Sequence, residues 1–152
     1  QADLWESFRC GERPVITDFW GGEIPNGVCL GAEYEGPFGR LGSLRHRRRI
    51  RYVVGQGLDG HDEVACDGSH EGVIRFHLAP GLTARKAGSA IEVRGGAHLV
   101  ASLRGPSLEW AVERSRYHPE FGKEVERDCV VGRVRFTDRM TASWQLELGA
   151  AS

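Results

Sequence analysis

The sequence predicts an all-β fold, an antiparallel β-sandwich with little helix. Three observations favour this class: apolar and polar residues alternate with period two, glycine supplies 21 of 152 residues, and turn signals recur every 8–12 residues or so. With 40% hydrophobic residues and a net charge of −1, the chain is predicted to form one globular domain over residues 1–152. This balance excludes a disordered chain, and no apolar run approaches the roughly 20 residues that cross a bilayer.

The elements follow in chain order. Residues 3–9 are the one weak candidate for a helical turn. Short apolar runs predict strands at 15–19, 28–34, 73–78, 91–93, 97–103 and 108–117. Glycine, proline, asparagine and aspartate predict turns at 21–22, 25–27, 36–37, 59–60, 67–68, 80–81, 95–96 and 105–106.

Two longer segments alternate most clearly. Along residues 44–54 the even positions carry mostly apolar side chains, and the odd positions carry arginines. Along residues 133–148 the even positions are apolar except for Asp138, and the odd positions are polar throughout. The second segment predicts a long half-buried strand, or two strands with a tight bend near 137–139.

The candidate binding residues are Arg45, Arg47, Arg49 and Arg51. Because side chains alternate along a strand, they are predicted to project from one face about 6.6–6.8 Å apart. Such a row suits an anionic polymer, either a uronate or sulfated glycan or a phosphate backbone. The alternative is a solvated face whose arginines pair with cross-strand acids. The nearly neutral chain and the lack of an aromatic RNA-binding motif favour no nucleic-acid partner.

Other reactive residue types give no defined site. His61, Asp62, Glu63, Asp67 and His70 match no metal-ligand spacing, and this turn-rich stretch is read as a polar hairpin. No nucleophile elbow, P-loop or zinc-protease motif is present.

The chain has four cysteines and no C-x2-C pair, so three disulfide pairings are open. Cys129 lies in a valine-rich run, and free buried thiols are the expectation for the cysteines. The four residues are Cys10, Cys29, Cys66 and Cys129.

The order of several short motifs resembles the C-terminal β-sheet region of heparinase II/III-like polysaccharide lyases. HRRRI at 46–50 is followed by DEV at 62–64, GSHE at 68–71 and IRFHLAPG at 74–81. QADLW at 1–5 and SRYHPEFG at 115–122 resemble the flanking segments of that region. Each motif is short, and their order over nearly the whole chain carries the resemblance.

The resemblance implies that a longer parent cleaves uronate-containing anionic polysaccharide, including glycosaminoglycan, by β-elimination. Its catalytic tyrosine and histidine, and the ligands of a structural metal, lie upstream, in an α-helical toroid and the first β-strands. We therefore assign no catalytic residue, metal ligand or cofactor to this chain, which is expected to be inactive alone. The expected partner is the parent's N-terminal toroid within a larger β-supersandwich, with no membrane partner. The expected location is the bacterial periplasm or exterior.

Two other functions stay open. The first is a stand-alone carbohydrate-binding sandwich, in which the four arginines act with an exposed tryptophan such as Trp20 or Trp110. The second is an assembly domain that forms a homodimer through an exposed sheet edge. Because the sequence begins with Gln1, it is expected to be a processed product or a piece of something longer.

Overall fold

The computed structural model describes residues 4–5, 9–10, 15–37 and 43–149. Every regular secondary-structure element within these ranges is a β-strand. None of the described residues forms a helix long and apolar enough to cross a membrane. The strands are β1 (Leu4–Trp5), β2 (Arg9–Cys10), β3 (Val15–Ile24), β4 (Gly27–Pro37), β5 (Ser43–Val53), β6 (Gly57–His77), β7 (Leu82–Ala87), β8 (Ala90–Gly95), β9 (His98–Arg104), β10 (Glu109–Tyr117) and β11 (Val125–Leu148).

All strand pairs are antiparallel, which confirms the predicted all-β class. Strands β1 and β2 form a two-stranded ribbon, so the helical turn predicted over residues 3–9 is wrong at residues 4–5 and 9, and its other residues lie outside the described part of the chain. The other nine strands form one sheet in the order β3-β4-β5-β6-β11-β9-β8-β7, and β10 pairs with β11. Among the described strands, β3 pairs only with β4 and is therefore a sheet edge.

Strands β6 and β11 are long enough to belong to both layers of the fold. The C-terminal half of β11 pairs with the first half of β6, and its N-terminal half pairs with the last part of β6 and with β10. The two strands bend where Gly68 and Asp138 both adopt positive φ, at +93° and +61°. There the Gly68 N–H donates to Asp138 Oδ1 at 2.7 Å, and the register shifts between Thr137 and Arg139. The first alternative for residues 133–148, one long strand, is therefore confirmed, and this strand contains the irregularity near residues 137–139.

The bend encloses a single apolar core between the two layers. Val130 precedes the bend in β11 and Trp144 follows it, yet both belong to the same buried cluster. The cluster consists of Ile74, Ile91, Leu103, Leu108, Trp110, Val130, Ala142 and Trp144. The Trp144 indole lies over Gly60, where an added Cβ would come within 2.1 Å of the ring. Such close packing explains why glycine occupies this strand position.

Several predicted turns lie inside strands. Residues 21–22 belong to β3, and residues 59–60 and 67–68 belong to β6, so the glycines there serve packing or the bend rather than chain reversal. The polar hairpin predicted over residues 61–70 is likewise wrong, because these residues continue strand β6. Pro25-Asn26, Pro80-Gly81 and Gly96-Ala97 do form turns.

Strands β3, β4 and β5 form a three-stranded wing that extends beyond the core. On the wing face continuous with the core, Ile16, Phe19 and Leu30 are 69%, 70% and 49% exposed. Val28 and Tyr52 lie on the same face and are also exposed. The opposite face of the wing carries Arg45, Arg47, Arg49 and Arg51 of β5.

Candidate functional site

The four predicted arginines share one face of β5, as the alternation indicated. Register pairs Arg45, Arg47, Arg49 and Arg51 with Glu35, Glu33, Gly31 and Cys29 of β4. On the other side they pair with Ala65, Glu63, His61 and Asp59 of β6. Acidic residues therefore flank the row on both neighbouring strands.

The two outer arginines are neutralised by these acids. Arg45 Nε donates to Glu35 Oε1, and Arg51 Nε donates to Asp59 Oδ2 at 2.6 Å. The hydrogen bond and charge of Asp59 also raise the pKa of Arg51 above its ordinary value. For these two positions the structure agrees with the alternative reading of paired surface charges.

The two inner arginines are placed differently. Among the residues that the structure describes, no carboxylate oxygen lies within 4.0 Å of a guanidinium nitrogen of Arg47 or Arg49. The Arg47 guanidinium carbon lies 4.8 Å from the centroid of the Trp20 ring, which is a cation–π geometry. The indole in turn lies on Gly31, where an added Cβ would come within 2.0 Å of the ring. Because Gly31 has no side chain, the Trp20 ring can pack directly on it, and the Trp20 ring in turn positions the Arg47 guanidinium.

Two hollows meet beside Arg49. The first, of about 260 Å³, is lined by Trp20, Arg47, Arg49, His61 and Glu63. The second, of about 330 Å³, shares Arg49 and His61 and continues across the sheet to Arg104 of β9. Its other lining residues are Asp59, Gly60, Pro106, Ser143, Trp144 and Gln145.

His61 forms the junction between the hollows. Its Nδ1 lies 2.9 Å from Ser143 Oγ, and its Nε2 lies 3.3 Å from Glu63 Oε1. Glu63 is therefore the carboxylate nearest to this histidine, although register places it opposite Arg47. These contacts hold the imidazole where the two hollows meet, and it lines both of them together with Arg49.

Of the two tryptophans predicted as sugar platforms, only Trp20 lies on the arginine face. Trp110 is 5% exposed, belongs to the core, and donates from Nε1 to the Gly105 carbonyl at 3.2 Å, so its predicted role is wrong. Sequence reasoning did not select His61 or Arg104 for this site. The signal for His61 was its odd position along β6, which became visible only once residues 57–65 were known to be a strand.

The other face of the wing root holds a polar cluster around Asp62. This carboxylate is 1% exposed, and its Oδ1 accepts from His46 Nε2 at 2.7 Å and from Arg48 Nε at 2.6 Å. Its Oδ2 accepts from Trp144 Nε1 at 3.2 Å. The other ring nitrogen, His46 Nδ1, lies 3.1 Å from the Tyr34 hydroxyl oxygen.

Burial and hydrogen bonding act oppositely on the pKa values of this cluster. Burial alone would raise the pKa of Asp62, but the hydrogen bonds and positive charges of His46 and Arg48 lower it below its ordinary value. Burial raises the pKa of Tyr34, and the Asp62 charge adds to the rise although Arg48 opposes it. The cluster therefore favours an ionised Asp62 and a protonated Tyr34.

Metal ligands and thiols complete the inventory. Within the described ranges no three His, Cys, Asp or Glu side chains gather as a metal site would require. The candidate stretch from His61 onward alternates between faces, which places Asp62 opposite His61 and Glu63. Cys66 and Cys129 are buried free thiols, as expected, and Cys29 is a half-buried free thiol. The Cys10 side chain lies outside the described residues.

Comparisons with known proteins agree on one family. The sequence profile described as "Heparinase II/III-like, C-terminal" matches residues 1–145. A heparan sulfate lyase from Pedobacter heparinus is similar in structure, with a TM-score of 0.66 at 11% identity, over 92% of this chain and 22% of that one. A heparinase III gene product has a TM-score of 0.64 at 13% identity, over 91% of this chain and 22% of its own. This chain thus spans about a fifth of the length of these structures, and no curated protein matches it in sequence.

Proposed function

This chain belongs to the heparinase II/III-like C-terminal family, and from that membership we propose that it is the non-catalytic C-terminal β-sandwich portion of a polysaccharide lyase. The parent would cleave uronate-containing anionic polysaccharide by β-elimination. In that reaction a base removes the proton α to the uronate carboxylate, and the glycosidic oxygen leaves from C4. The domain would support the parent's catalytic machinery rather than supply it.

The uncovered wing face is the observation that carries this proposal. Large exposed apolar patches on soluble proteins mark interaction surfaces, and this one continues directly from the core. Ile16, Phe19 and Leu30 are each about half exposed or more, whereas the same sheet face is covered further along, where Trp144 lies in the buried cluster with Trp110. A longer parent, such as the heparinases that this chain covers by 22%, has chain available to cover the face. We propose that the parent's preceding segment, including its toroid domain, packs there.

The cluster most like a catalytic site argues for a supporting role. A tyrosine base needs a lowered pKa near the working pH, but burial raises the pKa of Tyr34. Asp62 is occupied by Arg48 and Trp144 as well as by His46, so it cannot serve His46 alone. The cluster instead ties β4, β5, β6 and β11 together at the root of the wing.

A lyase assay tests the non-catalytic role. β-Elimination creates a conjugated unsaturated uronate that absorbs in the ultraviolet. The purified 152-residue chain should produce no such absorbance from uronate polysaccharides, whereas the full gene product should produce it. Absorbance generated by the chain alone, and lost in Tyr34→Phe, would overturn the proposal and make the Tyr34–His46 pair the first candidate for the chemistry.

A second function, contact with anionic glycan, is favoured by the inner arginines. Arg47 and Arg49 lie beside a hollow without a carboxylate within salt-bridge distance among the described residues, and Arg is well suited to carboxylate and sulfate. Replacing Arg45, Arg47, Arg49 and Arg51 together with glutamine should abolish retention on an anionic-glycan column. Unchanged retention would exclude this face as the contact.

Self-assembly is a third possibility because β3 is a sheet edge among the described strands. Its outward backbone groups are available to pair with a second copy, and exposed apolar side chains lie beside them. Sedimentation should then reveal a dimer whose population rises with concentration. A monomer at all concentrations would exclude an assembly role.

A further inference from the structure

We propose that an anionic polysaccharide lies across the strands rather than along β5, in a transverse groove held by Arg47, Arg49 and Arg104. The transverse groove consists of the two hollows that share Arg49 and His61. This inference rests on the proposed glycan contact and fixes its direction and residues. It removes Arg45 and Arg51 from the binding set and adds Arg104.

The distribution of paired and unpaired charge carries the first step. An arginine that already binds a carboxylate must give up that bond before it can bind a ligand anion. Arg45 and Arg51 are in this position, through Glu35 and Asp59. Arg47, Arg49 and Arg104 have no carboxylate oxygen within 4.0 Å among the described residues, so their guanidinium groups are available.

The remaining acids of the groove are also engaged. Glu63 lines the first hollow and contacts His61 at 3.3 Å. Asp59 lines the second hollow and accepts from Arg51 at 2.6 Å. The Arg51 guanidinium therefore offsets the repulsion that Asp59 exerts on a ligand anion, and Glu63 lies beside the His61 ring.

Register gives the direction of the groove. Trp20, Gly31, Arg49, His61 and Ser143 occupy one row of paired positions across β3, β4, β5, β6 and β11. Arg104 of β9 pairs with Gln145, one same-face position further along β11. Three interstrand spacings separate β5 from β9, so the backbones at Arg49 and Arg104 are about 14 Å apart in the direction perpendicular to the strands. This span requires an extended ligand with anions along its length.

Trp20 acts as a positioning residue for Arg47. Its indole rests on Gly31 and holds the guanidinium 4.8 Å from the ring centroid, which fixes an otherwise flexible side chain at the groove entrance. The ring face toward Arg47 is thereby occupied. Trp20 consequently contributes through the arginine, and a neutral sugar gains little from it.

The shared ligand chemistry is a polysaccharide with repeated carboxylate or sulfate groups, which arginine binds in a bidentate manner. Three probes separate the sources: oligogalacturonate carries carboxylates alone, dextran sulfate carries sulfates alone, and dextran carries neither. Binding of either anionic probe with none of dextran supports the inference. Equal binding of dextran would overturn it.

Matched glutamine variants test the groove, with dissociation constants measured by calorimetry. Arg49→Gln and Arg104→Gln should each weaken the anionic probe about tenfold, as expected for one lost charge-assisted contact. Arg45→Gln and Arg51→Gln remove the same charge from the same sheet and should change affinity less than about twofold. Arg49 and Arg104 are exposed, so their variants should keep the thermal unfolding midpoint of the parent sequence.

The outcomes distinguish this inference from the function on which it rests. If Arg45→Gln and Arg51→Gln weaken binding as much as Arg49→Gln while Arg104→Gln does not, the glycan follows β5 and the transverse groove is refuted. If the unchanged chain binds neither anionic probe, the glycan contact itself is refuted.

The positioning role of Trp20 has its own readout. Trp20→Leu should weaken the anionic probe, and Trp20→Phe should restore most of the loss because an aromatic face remains for Arg47. In a double-mutant cycle, Trp20→Leu should add nothing once Arg47 is glutamine. Full additivity of the two changes would show that Trp20 does not act through Arg47.

Discussion

Asp62→Asn is the sharpest perturbation of the buried cluster at the wing root. The substitution keeps the size and shape of the side chain and removes its charge. In the original chain, Asp62 Oδ1 accepts from His46 at 2.7 Å and from Arg48 at 2.6 Å, and Oδ2 accepts from Trp144 at 3.2 Å. An asparagine amide has one acceptor oxygen, so its NH₂ must face either these two donors or the indole N–H.

The expected loss follows from these three bonds. A hydrogen bond to a charged group contributes about 1.5–3 kcal/mol and a neutral one about 0.5–1.5 kcal/mol, so two weakened bonds cost about 2–3 kcal/mol. A buried indole donor without an acceptor adds about 1–3 kcal/mol. Because the Arg48 side chain is 41% exposed and can turn to water, we discount the sum and expect about 2–4 kcal/mol.

Urea unfolding at neutral pH measures this loss as a lower transition midpoint at constant slope. Asp59→Asn is the matched control on the same strand, since its partner Arg51 is half exposed and the pair lies at the surface. Its midpoint should move far less. A loss below about 1 kcal/mol for Asp62→Asn, or an equal shift in the control, would refute the role given to this cluster.

The same variant predicts a difference in pH dependence. The pKa of Asp62 is lower in the folded chain than its ordinary value. The ionised carboxylate therefore contributes fully to folding stability at any pH above about 3.9, the ordinary pKa of aspartate. This contribution is lost as the pH falls through the lower folded value. The stability difference between the original chain and Asp62→Asn should therefore shrink in acid. A difference that stays constant down to the folded pKa would contradict the assignment.

Three further predictions follow from single positions. Gly31→Ala should displace the indole above it and weaken anionic-glycan binding about two- to fivefold, and unchanged binding would contradict the seating of that ring. Half-buried Cys29 should react with a thiol reagent at least about tenfold faster than Cys66, whose pKa burial raises, and equal rates would contradict the burial pattern. In the full gene product, Phe19→Asp should lower the unfolding midpoint, whereas Phe121→Asp, at an exposed loop, should not; equal effects would contradict packing on the wing.

The periodicity of the sequence predicted the strands well where one face is polar. The alternating arginines Arg45, Arg47, Arg49 and Arg51 predicted both strand β5 and the face of β5 that points to solvent. A shift of one residue in the strand register would have buried these side chains. The turn predicted at residues 59–60 is wrong because the local preference of glycine for turns cannot anticipate packing by an indole from a strand more than 80 residues later. Gly60 is in a strand so that Trp144 can pack on it.

The site was predictable only in outline. Alternation placed four arginines on one face, but which of them are neutralised depends on acids of β4 and β6 that long-range pairing brings opposite them. Trp20 and Trp110 occupy similar strand patterns, and only the position of the second layer decides that Trp110 is buried. The Asp62 cluster was missed because its partners come from three other segments of the chain.

Hydrogen exchange tests the central claim, that this domain is a supporting portion of a larger lyase, most directly. Amide exchange should be measured in the full gene product and in the 152-residue chain under the same conditions. We predict that β3 and β4 exchange more slowly in the full product, because the parent covers Phe19, Leu30 and their neighbours, while the core strand β11 exchanges alike in both. Equal exchange of β3 and β4 in the two proteins would contradict the claim, since the wing face would then be uncovered in the parent as well.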